Sequence, residues 1–460
     1  MTGWNDARVL VEREFEQAKQ EGRDAEAVDA LRSDFEAAGD DDAKLAAIWR
    51  KLVSIPVRDD FPFEEPSDLE GIRARRGTGP RRETLPYEES QLYDRMYGAW
   101  LGRCAGCALG KPVEGFMQPR GDLASWERTR RYLTEISRDE WPIRGYIPAH
   151  SPAEDETGQV GCPLSTREQI AFMESDDDIR YTVIGQIVMM AKGRDFDTVD
   201  VARAWEKHLP YGYVCTAETQ AYRNLVTRYR KGLGGAGEVD WTWVAMNENP
   251  YREWVGAQIR VDSFAYAAPG DMELAAEFAW RDARLSHVKN GIYGEMLCGA
   301  MIAGAFVYDE PLTIVKAALA EIPETSRLHK DVTDTIGICA DHRFDVGEFE
   351  AVIKEIYDLL GHYHAVHTNN NAALVVASLL LGQRDFEKVI GIAVMGGWDT
   401  DCNGATAGSI AGAMLGAAAL PDKWTAPLHD TLKSNIIDYH PIAISECARR
   451  SVKIAKKLVG

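Results

Sequence analysis

Three short stretches of this 460-residue chain carry side chains that could do chemistry. The first is Glu174-Ser175-Asp176-Asp177-Asp178, four carboxylates within five residues, just ahead of the apolar run at 181–190. Like charges this close repel, and a helix N-terminus relieves each by roughly 0.3–1 kcal/mol through its aligned peptide dipoles. Alone, the run reads as a charged, capped helix start. As a ligand set it suits a hard cation, because Mg2+ and Mn2+ take oxygen donors. The second stretch is Gly396-Gly397-Trp398-Asp399-Thr400-Asp401-Cys402-Asn403. Gly-Gly permits a sharp turn, and Asp399 or Thr400 can cap the helix that follows. Asp399 and Asp401 flank Thr400 with oxygens of their own, so capping and cation binding are both open here. The third is Gly106-Cys107-Ala108-Leu109-Gly110-Lys111-Pro112-Val113-Glu114. A helix is expected to end at Gly110 and Pro112 to force extended backbone, leaving Glu114 as a surface glutamate or a carboxylate poised at a cleft edge.

These stretches need rigid elements to hold them. Helical periodicity is expected over 91–109, 174–192, 271–308, 346–361, 368–382 and 403–418, and strand-like alternation is scarce. Two of these helices carry glycine every fourth residue: Gly98, Gly102, Gly106 and Gly110, and then Gly404, Gly408, Gly412 and Gly416. Glycine inside a helix costs up to about 1 kcal/mol relative to alanine. A repeated cost implies a flat stripe on which another helix backbone lies close, at a crowded bundle centre. Between the first two helices, residues 115–165 are broken by Pro119, Pro142, Pro148, Pro152 and Pro163, and read as a long irregular segment of the kind that forms functional lids.

Residues 1–60 are charged and helical in spacing, with Val9, Val11, Phe15, Leu31, Phe35 and Leu45 on apolar stripes and a turn at Asp40-Asp41-Asp42. Residues 73–86 are rich in arginine, glycine and proline and read as a solvated linker. The expected organisation is a helical extension and linker over 1–85 and one domain over 86–460. A formal charge of -20 argues against nucleic acid as a partner. No run of 18 apolar residues suggests a membrane span, and no apolar leader is visible at the start. Eight scattered cysteines read as buried thiols, and together these features point to the cytoplasm.

The three stretches, in this order and beside two glycine-striped helices, resemble the ADP-ribosylglycohydrolase family. Its pattern reads Gly-x-x-x-Gly-Asp-Ala-x-Gly-x-x-x-Glu, then Thr-Asp-Asp-Thr, then Gly-Gly-Asp-Thr-Asp-Thr with a helix of small residues after it. The resemblance spans roughly residues 92–455, about four-fifths of the chain. It implies an all-α fold, an ADP-ribosylglycohydrolase-like helical bundle behind the N-terminal extension, holding a pair of Mg2+ or Mn2+ ions. Ser175, Asp176 and Asp177 match the Thr-Asp-Asp ligands, Asp399 and Asp401 match the second ligand pair, and Glu114 matches the glutamate near the sugar. The implied activity is metal-dependent hydrolysis of an N- or O-glycosidic bond to ADP-ribose or a related ribosyl group, free or protein-attached. Glu114, Asp177 and Asp399 are then the catalytic residues. Four positions depart from the pattern. Cys107 replaces an aspartate, Cys402 replaces a threonine and is a poor Mg2+ ligand, Ser175 keeps the hydroxyl of a threonine, and Asp178 replaces another.

Two rival functions fit parts of the sequence. An all-α Mg2+-dependent prenyl-diphosphate enzyme would use an Asp-rich helix, and a non-catalytic ADP-ribose binder would account for Cys107 and Cys402. His364 and His367 could share a helix face, but a third zinc ligand is not signalled, so they read as structural, with Asn369–Asn371 opening a helix. His287 and Tyr266 read as core or pocket-lining residues. Cys104 and Cys107 form a Cys-x-x-Cys inside a helix, which does not suit a redox role. Phe116, Trp126, Trp141 and Tyr146 are expected to anchor the irregular segment or to stack on a base.

Overall fold

A computed structural model describes residues 3–229 and 239–459, and they form an all-α fold. The only strands among the described residues are the short antiparallel pair Thr431–Leu432 and Ile442–Ala443. No described helix is long and apolar enough to cross a membrane.

Helices Asn290–Ala305 and Thr368–Gly382 form the centre, with every residue buried. A helix apolar on all sides must be surrounded, since it has no polar face to offer water. Around them run Glu89–Gly110, Asp177–Lys192, Phe386–Met395 and Thr400–Leu415. The two glycine stripes turn out to face each other. A Cβ on Gly98 would run into the carbonyl of Gly412, one on Gly102 into Gly408, one on Gly106 into Gly404, and one on Gly110 into Thr400. The two helices therefore lie antiparallel with backbones touching. Their stripes end where Thr400 Oγ1 donates to the Gly110 carbonyl at 2.9 Å. This contact places the end of the first helix, with Lys111 and Glu114, beside the start of the second, with Asp399 and Asp401.

Three expectations about elements need correction. The pattern over 271–308 is two helices, Met272–Ala283 and Asn290–Ala305. The break serves side-chain pairing: Lys289 adopts φ +47°, the Val288 N–H goes to the Arg252 carbonyl at 3.0 Å, and Asn290 turns to Glu65 and Glu253 at 2.8 and 2.9 Å. Pro112 does not force extended backbone. Residues Lys111–Phe116 continue as a 3-10 helix with the proline in its first turn, where a missing N–H costs nothing. The segment 115–165 also contains a full helix, Ser125–Ile136, because its prolines all lie outside those residues.

Residues 1–85 begin with four helices, Ala7–Gln20, Ala25–Asp29, Arg32–Ala38 and Asp42–Ser54, around a small core that includes Val11, Phe15, Phe35, Leu45 and Leu52. Polar side chains tie this layer to the rest. Arg252 donates to both oxygens of Glu14 at 2.6 and 2.9 Å and to Glu21 at 2.9 Å, all three residues being buried. Arg327 bridges Glu65 and Glu253 at 2.7 Å each. The arginine run does not lie free in solvent as a linker would: Arg76 and Arg81 both pair with the buried Glu321, at 2.7 and 2.8 Å.

Candidate active site and metal-ligating centre

The first acidic stretch folds as a helix start. Asp176 is the N-cap of Asp177–Lys192, its Oδ1 accepting from the Asp178 N–H at 3.0 Å. The second folds likewise, with Asp399 as the N-cap of Thr400–Leu415. The turn before it is tightly held. A Cβ on Gly397, at φ +75°, would strike Ser125 Oγ and the Trp126 nitrogen, so only glycine fits. Trp398 sits at φ +55°, a region costly for a large side chain, and is held by stacking on Tyr357 with ring centroids 4.0 Å apart. Its N–H donates to Ser125 Oγ at 2.8 Å. Asn371, from the central helix, accepts from the Asp399 N–H at 3.2 Å and from Asn403 at 2.9 Å.

 The two stretches, far apart along the chain, meet in space. Ligand atoms of Asp176, Asp401 and Cys107 lie within 4.8 Å of one another, and so do those of Asp176, Asp177 and Asp178. Asp176, Asp178, Asp399 and Asp401 are buried, while Asp177, Ser175 and Glu114 are half-buried and form the open side. One oxygen, Asp401 Oδ1, is buried without any hydrogen-bond partner. A buried carboxylate oxygen left unpaired is costly, and a cation is the natural remedy. The donor set of oxygens from Asp176, Asp177, Asp399 and Asp401 fits a hard divalent ion. The Ser175 hydroxyl turns elsewhere, donating to the Ser434 carbonyl at 3.2 Å and accepting from Arg180 at 2.8 Å.

The electrostatics follow from this crowding. Asp401 is pushed up to about 7 by burial and by the charge of Asp176. Burial and the neighbouring Asp401 carboxylate hold Asp399 well above the usual carboxylate range. Glu114 is also raised, first by the charge of Asp401 and then by burial. Asp176 moves the other way: burial would raise it, but the ammonium of Lys111 more than offsets that.

Two cations were not legible as parts of the site. Lys111, almost fully buried, places Nζ 3.0 Å from Asp176 Oδ2 and 3.0 Å from the Ser175 carbonyl. Arg103, with no exposed surface, lies behind Asp178 at 3.4 Å and Asp262 at 2.7 Å, and also donates to Thr182 and the Ile259 carbonyl. A lone arginine within the otherwise uncharged stretch 96–110 was a usable signal, because a buried guanidinium demands anionic company.

The remaining candidates are structural. His367 is buried and caps the central helix by accepting from the Asn369 N–H at 3.1 Å, and His364 stacks on Trp254. His287 is buried beside Ser286, and Tyr266 is buried against Asp262 and Ser409. Trp141 and Tyr146 anchor their segment, donating to Glu350 and to the Trp424 carbonyl, and Phe116 packs on Tyr132. Cys104 and Cys107 are buried free thiols.

An all-α bundle with two acidic helix starts converging at its centre defines a class, and comparison with known proteins names it. Residues 88–453 match the profile of the family described as ADP-ribosylglycohydrolase. The chain belongs to the ADP-ribosylglycohydrolase family, a family of glycohydrolases. Among solved structures it is similar to one titled "ADP-ribosylglycohydrolase-related protein complex", at 19% identity and a TM-score of 0.47, over 80% of this chain and 99% of that one. No curated protein matches the chain. Family membership sets aside the prenyl-diphosphate reading.

Proposed function

We propose that this chain is a metal-dependent hydrolase that cleaves an N- or O-glycosidic bond to ADP-ribose or a related ribosyl group, free or attached to protein. The observation that carries this reading is that ligand atoms of Asp176 and Asp401, from the two acidic stretches, lie within 4.8 Å of each other, with Asp177 and Asp178 grouped on Asp176 and with Asp401 Oδ1 buried and unpartnered. Asp176, Asp177, Asp399 and Asp401 would hold Mg2+ or Mn2+, while the Ser175 hydroxyl, engaged by Ser434 and Arg180, would not. When bound, such an ion supplies positive charge toward ribose hydroxyls and lowers the pKa of a water.

The side chains of this protein do the rest. Glu114 holds its proton to unusually high pH because Asp401 lies close, so it can donate that proton to a leaving group or exchange it with water. Asp177, on the open side, and Asp399, beneath it, present negative charge to the sugar. Cleavage at the anomeric carbon builds positive charge on the ring, and fixed carboxylates nearby stabilise it. The rigid contact between the glycine helices keeps Glu114 and Asp399 from drifting apart.

The test is a turnover assay with Mg2+ or Mn2+ on ADP-ribosyl-arginine, ADP-ribosyl-serine, O-acetyl-ADP-ribose and simple nucleosides. Release of a ribosyl product by the wild type, lost in the Asp399→Ala/Asp401→Ala double variant, is the expected result. Full activity of the double variant would reject the site. A second reading, a non-catalytic ADP-ribose binder, is favoured by Cys107 and Cys402 at positions where the family pattern carries oxygen ligands. Tight ADP-ribose binding with no turnover of any substrate would select it.

A further inference from the structure

Lys111 carries a positive charge into the centre of the acidic cluster. Its ammonium has three N–H donors and is almost fully buried. It contacts Asp176 Oδ2 and the Ser175 carbonyl at 3.0 Å each, with Glu174 at 4.0 Å. The other oxygen of Asp176 accepts the Asp178 N–H at 3.0 Å. Each oxygen of Asp176 therefore already has one N–H donor on it. Asp176 is also the residue common to the two groups of side chains near enough to grip an ion. In one group it stands with Asp177 and Asp178, and Asp178 is already faced by Arg103 at 3.4 Å. In the other it stands with Cys107 and Asp401, where the thiol is a poor ligand for a hard ion and Asp401 Oδ1 is the oxygen left without a partner.

We propose that the Lys111 ammonium takes the place of one divalent cation at Asp176, so that this centre accepts a single Mg2+ or Mn2+ ion, on the side of Asp399 and Asp401. This rests on the metal-dependent reading given above. A dication and an ammonium on the same carboxylate repel each other, and in a buried site little water screens them. Lys111 thus closes the position it fills and leaves open the one where Asp401 has a free oxygen. Cys402, the residue after Asp401, stands where the family pattern has a threonine, and its thiol is a poor ligand for a hard ion.

The experiment counts ions. The full-length protein is equilibrated with excess Mn2+, desalted, and its bound manganese measured per chain, with electron paramagnetic resonance to detect coupled ion pairs. One ion per wild-type chain and no coupled-pair signal is expected. Lys111→Met, which keeps the length and removes the charge, is expected to bind twice as much Mn2+ and to show the coupled signal, while Lys111→Arg stays at one. Two ions per wild-type chain would overturn the proposal and leave the metal-dependent reading standing. No bound ion would overturn both. One ion in Lys111→Met as well as in the wild type would remove Lys111 as the cause. A wild-type count of two overturns the proposal even if a variant fails to fold, and Lys111→Gln serves as the second charge-removing variant, expected to bind two ions.

Discussion

Thr400 donates its hydroxyl to the Gly110 carbonyl at 2.9 Å, and this bond pins the start of one glycine helix to the end of the other. Behind it the backbones touch at three further levels, Gly106 with Gly404, Gly102 with Gly408 and Gly98 with Gly412. Each level leaves no room for a methyl group.

Gly106→Ala is therefore expected to destabilise the protein despite alanine's better helix propensity. Overpacking of this kind costs about 1–3 kcal/mol or more, against a propensity gain of up to about 1 kcal/mol. Gly337→Ala is the control: Gly337 is exposed in helix Arg327–Asp341, with nothing near its would-be Cβ, and alanine there should stabilise. Denaturant unfolding of both variants gives opposite signs if the stripe is the cause.

Arg103→Met should be among the most damaging single substitutions. It leaves Asp262 and Asp178 buried without their cation, a loss of about 3–5 kcal/mol for a broken buried pair. Adding Asp262→Asn should recover part of that loss in a double-mutant cycle. Additive losses would mean that Arg103 acts only by filling space.

Asp401 and Glu218 are both held near 7, by burial in each case. Unfolded carboxyls titrate near 4. Between about pH 4 and 7 the folded chain thus keeps protons that the unfolded chain releases, so stability falls as pH rises through that window. The melting temperature of the metal-free protein should be lower at pH 8 than at pH 5.5. Added Mg2+ or Mn2+ should raise it more at pH 8, because Asp401 must be deprotonated to bind an ion. Asp401→Asn should remove the metal-dependent part and Glu218→Gln should flatten the remainder. A metal-induced shift that is the same at both pH values would contradict this account.

Glu14→Ala should unfasten the N-terminal helices. Arg252 would lose a bidentate partner with no water to replace it. The expected loss is again about 3–5 kcal/mol, read as faster proteolysis between residues 20 and 60. An unchanged cleavage rate would show that the small core around Phe15 and Phe35 holds the layer without the ion pair.

Much of this fold was legible in the sequence because its strongest signals are local. Glycine every fourth residue announces close helix packing, and an acidic cluster before an apolar run announces a helix start. What the sequence hid depends on partners far along the chain. Nothing in either stripe says that the two face each other, since each could have met any small-residue helix. Lys111 looks like a surface lysine after a helix end until Asp176 is seen beside it. The single periodic pattern over 271–308 conceals a break, because apolar spacing continues across residues 284–289 while the backbone turns to reach Arg252 and Ser67.

The buried pair of Glu14 and Arg252 also bears on how the chain is made. Glu14 leaves the ribosome 238 residues before Arg252, a gap of roughly 10–50 s at about 5–20 residues per second. For that interval the first helices of the nascent chain keep their carboxylates in water. They can dock only after the body of the protein has emerged to receive them.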